Sequence, residues 1–307
     1  MLMEELTSVR IVTLLDNCVQ RSGVLGQWGL SFFIEAVDFN GRKHHLIFDT
    51  GGNKEVILCN LEALNIDLSD LEFIVLSHGH DDHTSATVEV MKKAKANAHL
   101  KVIAHPYAFL PKFEVTQSKK KIESGIPKGQ RMEDLKKAGG EIVLAKHPFP
   151  LFPGAVTTGE ISRSSDFESD LDLESQKKRY FVINGRVEPD RLLDDNALIL
   201  NTPLGLLVVT GCAHAGVINT LVHAQRVTKI CEICGLVGGM HLSRKDTSYL
   251  ERTIEELKLL KPRLLSPGHC TGFRALSRLY RAFPNEFDTD FVGKVLEIKE
   301  NAILKRA

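Results

Sequence analysis

The chain has 307 residues, 43% of them hydrophobic and 25% charged, with Lys+Arg and Asp+Glu both at 39. These proportions exclude a disordered chain, a collagen-like repeat and a disulfide-dense miniprotein, and the length suits a sizeable core. Zero net charge leaves no global footprint for nucleic acid. No apolar run of about 18 residues marks a membrane-spanning helix.

The start, MLMEELTSVR, lacks the apolar core of a secretion signal, and six Cys are too sparse for a disulfide framework. A cytoplasmic protein is therefore expected. Strands are read first at 8–16, 30–39 and 44–51, with Asn40-Gly41 as a hairpin turn between the last two. Residues 53–66 carry Val56, Leu58, Leu61, Leu64 and Ile66 near helical spacing. The strand 71–77 follows, then His78-Gly79-His80-Asp81-Asp82-His83, a helix at 85–97 and a strand at 101–105.

A short helix (132–138) and a strand (141–146) are expected within 111–150, among Lys-rich surface loops. Residues 162–180 are polar and weakly periodic, which reads as a loop. Strands at 196–202 and 205–214, a helix at 217–228 and a strand at 232–241 come next. An amphipathic helix at 248–260, a strand at 263–270, a helix at 273–283 and a strand at 293–298 complete the chain. The expected architecture is two sheets with helices outside, an α/β layering.

The chemistry concentrates in the His78–His83 stretch. In an extended chain, residues i and i+2 face one side, so His78 and His80 can address one ion. Gly79 adds no bulk and permits unusual backbone angles. Asp82 and His83 lie in the turn that follows. Imidazole with carboxylate favours Zn2+, with Fe, Mn or Co as alternatives.

HGHDDH resembles the HxHxDH signature of the metallo-β-lactamase superfamily, and LIFDTG (46–51) resembles its early Asp-Gly motif. The resemblance runs through nearly the whole chain. It implies an αββα four-layer sandwich over 1–307, in which the polar stretch 162–195 is expected to be a loop excursion. It also implies metals at one edge, with His78 and His80 on the first ion, and Asp82, His83 and the late His269 on the second. Asp49 would orient the metal loop.

The family pattern is broken twice. AVTTGEISR (155–163) has no His where a third one usually stands, and offers Glu160. The usual bridging Asp is replaced by Cys212, with His214 two residues on. His214 is expected to replace a missing ligand, and Cys212 either ligates or packs beneath. His241 is expected to line the pocket. Trp28 and Phe273 are candidate walls for a flat substrate. Arg163, Arg274 or the start of the 273–283 helix are candidates for phosphate recognition.

Further motifs (GQWGLSFFIE, TGEISR, DDNALIL, TGCAHAG, GGMHL and GHCTG) resemble one subgroup of the superfamily. Its members are labelled 7,8-dihydropterin-6-yl-methyl-4-(β-D-ribofuranosyl)aminobenzene 5′-phosphate synthase. That is a dihydropteroate-synthase-like activity.

Three readings follow. One is a dinuclear hydrolase acting on a small ester or phosphorylated substrate through a metal-activated water, oriented by Asp82. The second is a pterin-transferring synthase in which an arylamine displaces pyrophosphate. The third is a non-catalytic metal-containing protein that binds a small ligand. A diiron redox role is disfavoured by His80, and a nuclease by the balanced charge. A homo-oligomer is compatible with the sequence. The lone Cys231-Glu-Ile-Cys234 pair has no second CxxC and is read as incidental. Of the remaining His residues, only His105, which ends a strand, merits attention.

Overall fold

The computed structural model describes residues 3–94, 100–116, 118–168, 178–300 and 302–306. Two large sheets face each other. The first runs, in spatial order, Ala302–Arg306, Val295–Lys299, Ser8–Leu15, Ser31–Val37, Lys43–Phe48, Leu71–Val75, Lys101–Ala104 and Glu141–Leu144. Pairing is antiparallel up to Lys43–Phe48 and parallel beyond it. The second runs Leu264–Gly268, Ile233–Gly239, Gly205–Thr210, Ala197–Thr202, Ala155–Thr157 and Phe149–Phe152.

Alternation along each strand builds three apolar layers. Phe32, Ile34, Leu46 and Phe48 point inward against Leu198, Leu200, Leu207 and Val209 of the second sheet. Phe33 and Ile47 point the other way, onto the helices Lys54–Ala63, Thr87–Lys93 and Met132–Lys137 through Ile57, Leu61, Val90 and Leu135. Ile199, Leu206 and Val208 pack on Val217–Thr228, Thr247–Leu260 and Phe273–Ala282 through Leu221, Leu250, Leu257 and Leu279. The order is helices, sheet, sheet, helices. It is the expected αββα sandwich, and its strands read as near-continuous apolar runs because both faces are covered.

Most expected elements fall within a few residues of their observed ends. The helix expected at 53–66 spans Lys54–Ala63, where the Asn53 side chain accepts a hydrogen bond from Val56 N and caps it. The helix expected at 85–97 is two pieces, Asp81–Thr84 and Thr87–Lys93; positions 95–97 and His99 lie outside the described residues.

One region departs from expectation. The 162–195 stretch, read as a loop excursion, contains a hairpin of Arg179–Ile183 and Arg186–Pro189; residues 169–177 lie outside the described set. Lys112–Val115 and Lys121–Glu123, expected as loops, join that hairpin in a third, four-stranded sheet. The signal lay in Asn184-Gly185, which turn the hairpin with φ of 50° and 74°, the left-handed pair that a two-residue turn needs. Phe149–Phe152 is likewise a strand that the sequence reading left in a loop.

The third sheet touches the HGH loop directly. His80 pairs with Gly125 in an isolated bridge, and Asp81 N donates to Ser124 O at 3.1 Å. No helix among the described residues is long and apolar enough to cross a membrane.

Candidate metal centre

Strand Leu71–Val75 delivers the first ligands. His78 Nε2 and His80 Nδ1 face each other 2.9 Å apart. Gly79 between them is required for space, not for an unusual backbone angle: a Cβ there would lie 2.1 Å from the Ala108 carbonyl oxygen. Its N–H donates to Asp194 Oδ2 at 2.8 Å. Lys112 Nζ in turn donates to Asp194 at 2.9 Å and to Asp190 at 2.8 Å, so a buried lysine from the third sheet steadies the loop.

Asp49 organises the loop from behind. It adopts φ of 57° and accepts from Ser77 N and Ser77 Oγ, both at 2.7 Å. His83 Nδ1 lies 2.6 Å from the same carboxylate. That contact places a proton on His83 Nδ1 and turns Nε2 toward the cluster. His83 Nε2 is then 3.2 Å from Cys212 Sγ and 3.8 Å from Asp82 Oδ1. Ser77 Oγ also accepts from His78 Nδ1 at 2.9 Å, which leaves His78 Nε2 free to face the cluster.

The second sheet supplies the rest from its strand ends. After Gly205–Thr210 come Cys212, Ala213 with φ of 54°, and His214. The His214 ring meets those of His78 and His80 edge-on, with centroids 4.8 and 5.1 Å apart. After Leu264–Gly268 comes His269, whose N donates to Asp16 Oδ2 at 2.7 Å and whose Nδ1 lies 3.2 Å from Asn17 Oδ1. His269 Nε2 faces Asp82 Oδ2 at 3.4 Å. The His241 ring lies 4.2 Å from that of His214.

Four groups here have ligand atoms within 4.8 Å of one another: His78–Cys212–His214, His83–Cys212–His269, Cys212–His241–Cys270 and His78–Asp82–His83. Asp49, Ala213, His241 and His269 all hold positive φ. Each costs on the order of 1–3 kcal/mol, and such strain concentrates at functional sites.

Electrostatics divides the cluster. Burial pushes His78 and His214 well below their ordinary range and His80 down to about 3, so these imidazoles are neutral. Burial also opposes charge on His83, but the Asp82 and Asp49 carboxylates outweigh it and raise His83 to about 9. Burial would raise Asp82, but His83 and His269 hold it well below the usual carboxylate range.

The donor set fits a divalent cation. His214 Nε2 and His241 Nδ1 are buried atoms without a hydrogen-bond partner. Each such orphan costs about 1–3 kcal/mol, a cost that coordination removes. Neutral His78, His80 and His214 and the ionised Asp82 are in the protonation states that ligation needs, whereas His83 would give up its Nε2 proton to a bound cation.

The structure gathers His78, His80, Asp82, His83, Cys212, His214, His241 and His269, with Asp49 behind them. Trp28 lies against the His269 ring at 5.1 Å and is 58% exposed. Other candidates lie apart. Glu160 belongs to none of the four ligand groups; its Oε2 is 3.9 Å from His105 Nε2 and 3.5 Å from Lys146 Nζ. A Glu at a sequence position does not stand in for a His when its strand end points elsewhere. Arg163 Nη2 donates to the carbonyls of Arg191 and Leu192, at 2.7 and 3.3 Å. Arg274 donates to Thr247 Oγ1 at 3.0 Å on the outer helices, and Phe273 is 86% exposed.

Sequence reasoning missed Cys270, Lys112, Asp190, Asp194, Asp16 and Asn17. Cys270 was legible as the neighbour of His269. Asp194 was legible only as part of DDNALIL, and nothing in the sequence pairs it with Lys112.

A family model described as "Metallo-beta-lactamase superfamily" matches residues 29–167. A Methanocaldococcus jannaschii protein named 7,8-dihydropterin-6-methyl-4-(beta-D-ribofuranosyl)-aminobenzene-5′-phosphate synthase is 34% identical over 295 residues, covering 94% of this chain and 97% of its own. A second protein of that organism, uncharacterised, is 32% identical over 94% of this chain and 100% of its own. Among solved structures, Tm1679, described as a metal-dependent hydrolase of the β-lactamase superfamily, superposes with a TM-score of 0.74 at 23% identity. That match covers 95% of this chain and 99% of the other. At that identity the likeness speaks for the fold alone.

Proposed function

The chain belongs to the metallo-β-lactamase superfamily, and from that premise we propose that it is a metal-dependent enzyme with two adjacent cation positions. His78, His80 and His214 hold one cation; Asp82, His83 and His269 hold the other. Cys212 stands between them. The observation that carries this reading is the Cys212 sulfur, which is shared by a His78–His214 group and a His83–His269 group. Zn2+ suits imidazole, thiolate and carboxylate together, with Mn and Fe as alternatives.

Cations so placed supply Lewis acidity and a water of lowered pKa. The chain's own residues do the rest. Asp82, kept ionised by His83 and His269, orients the attacking group. Asp49 and Ser77 fix the orientation of the His83 and His78 rings. Asp16 and Asn17 hold His269. The exposed indole of Trp28 offers a flat wall beside His269. The substrate is a small molecule carrying an ester or phosphoryl electrophile, cleaved by water.

A second reading is pterin transfer. In it the arylamine nitrogen bonds to a pterin methylene carbon while the carbon–oxygen bond to pyrophosphate breaks. The relative named as a synthase, 34% identical along nearly its whole length, favours it.

The test is turnover by metal-loaded protein. Chromogenic phosphodiesters and esters are assayed beside a dihydropterin pyrophosphate with an arylamine. Expected is turnover in one arm, abolished in His78→Ala and Asp82→Asn. Full metal loading with no turnover in any arm would favour the ligand-binding reading.

A further inference from the structure

We propose that Cys212, Cys270 and His241 form a third cation position, rich in thiolate, beside the two histidine positions. It goes beyond the two-cation reading, drawing on it only in sharing Cys212. It takes a thiophilic divalent ion such as Zn2+ or Cd2+.

Three observations carry it. The two sulfurs and a His241 ring nitrogen lie within 4.8 Å of one another, close enough to converge on a tetrahedral ion with metal–ligand distances of about 2.0–2.3 Å. His241 Nδ1 is buried and has no hydrogen-bond partner, although the ring reaches into the cluster beside His214. Cys270 Sγ accepts the His241 backbone N–H at 3.3 Å and lies 3.7 Å from the Cys212 carbonyl oxygen, so the three residues are already held together.

The surroundings keep the position open. A Cβ at Gly239 would lie 2.9 Å from Cys270 Sγ and 2.2 Å from the Gly211 carbonyl oxygen, so only glycine leaves room for the sulfur. His241 and its neighbour across the sheet end, His269, hold φ of 48° and 47°. Two thiolates would neutralise a divalent charge in a buried site, which is how buried charge is tolerated. The three protein ligands leave a fourth coordination place for water or substrate, as in catalytic rather than structural zinc sites.

The test is a Co2+ titration of chelator-stripped full-length protein under reducing conditions, read by bound equivalents and by the near-ultraviolet thiolate-to-cobalt band. Three equivalents are expected in the wild type, the third giving the largest rise in the band. Cys270→Ser and His241→Ala should each stop at two equivalents. In both variants the rise in the band that accompanies the third equivalent should be absent. Saturation of the wild type at two equivalents would overturn the third position and leave the two-cation reading standing. So would an unchanged titration in both variants. Saturation below two would overturn both readings.

Discussion

The two halves of the candidate centre are built on opposite electrostatic principles. Around His78, His80 and His214 the rings pack edge-on, and burial keeps them neutral. Around Asp82, His83 and His269 the same burial is overcome by opposite charge: His83 and His269 keep Asp82 ionised, and Asp82 and Asp49 raise His83 to about 9. The first half is a neutral receptor awaiting positive charge. The second already contains its counter-charges. On the two-cation reading, the two positions are expected to differ in affinity and in their response to pH.

The strongest way to break this contrast is to remove Asp49. Its carboxylate is fully buried and engages Ser77 N, Ser77 Oγ and His83. Asp49→Ala leaves the His83 charge without its closest partner and should cost about 3–5 kcal/mol, read by denaturant unfolding. Metal loading at the second position should fall with it; unchanged stability would deny Asp49 its organising role.

Lys112→Met tests the support of the first position from the third sheet. It strands Asp190 and Asp194 in a buried site and should cost about 3 kcal/mol. The double change with Asp194→Asn should recover part of that loss. Non-recovery in the double variant would mean the triad does not act as a unit.

Gly79→Ala is a smaller insult to the same half. Overpacking against Ala108 should cost about 1–3 kcal/mol and weaken cation binding by His78 and His80. Asn17→Ala addresses the other half alone: second-position affinity should drop about 10-fold or more by competition with a chelator, with the first unaffected.

The subtlest test is pH, in metal-stripped protein. His80 is depressed from 6.5 to about 3, so the unfolded chain binds more protons below 6.5. Its contribution is present above pH 6.5 and is lost as pH falls toward 3. His83 is raised from 6.5 to about 9, so its contribution is full below 6.5 and is lost as pH rises through 9. His80→Ala should flatten the acid limb of the stability profile, and His83→Gln the alkaline limb. Identical profiles for the two variants would erase the distinction.

Much of the sandwich was legible because its strands are long and apolar on both faces, and its outer helices carry one clear apolar stripe. The third sheet was not. Its strands are three to five residues long, and those of Arg186–Pro189 and Lys121–Glu123 are exposed throughout, so no burial pattern marks them. Glu160, offered where a third His usually stands, reaches His105 and Lys146.

Local chemistry is what sequence alone determined: three histidines and two aspartates packed after a buried strand, with helical and strand periodicities on either side. The tertiary structure alone decided which distant strand ends converge. Cys212, His241, His269 and Cys270 come from three neighbouring strands of the second sheet, and His78 to His83 from the first. Their meeting follows from the stacking of two sheets with strand ends at one edge. That register is set by side chains throughout the shared core, and no short motif can encode it.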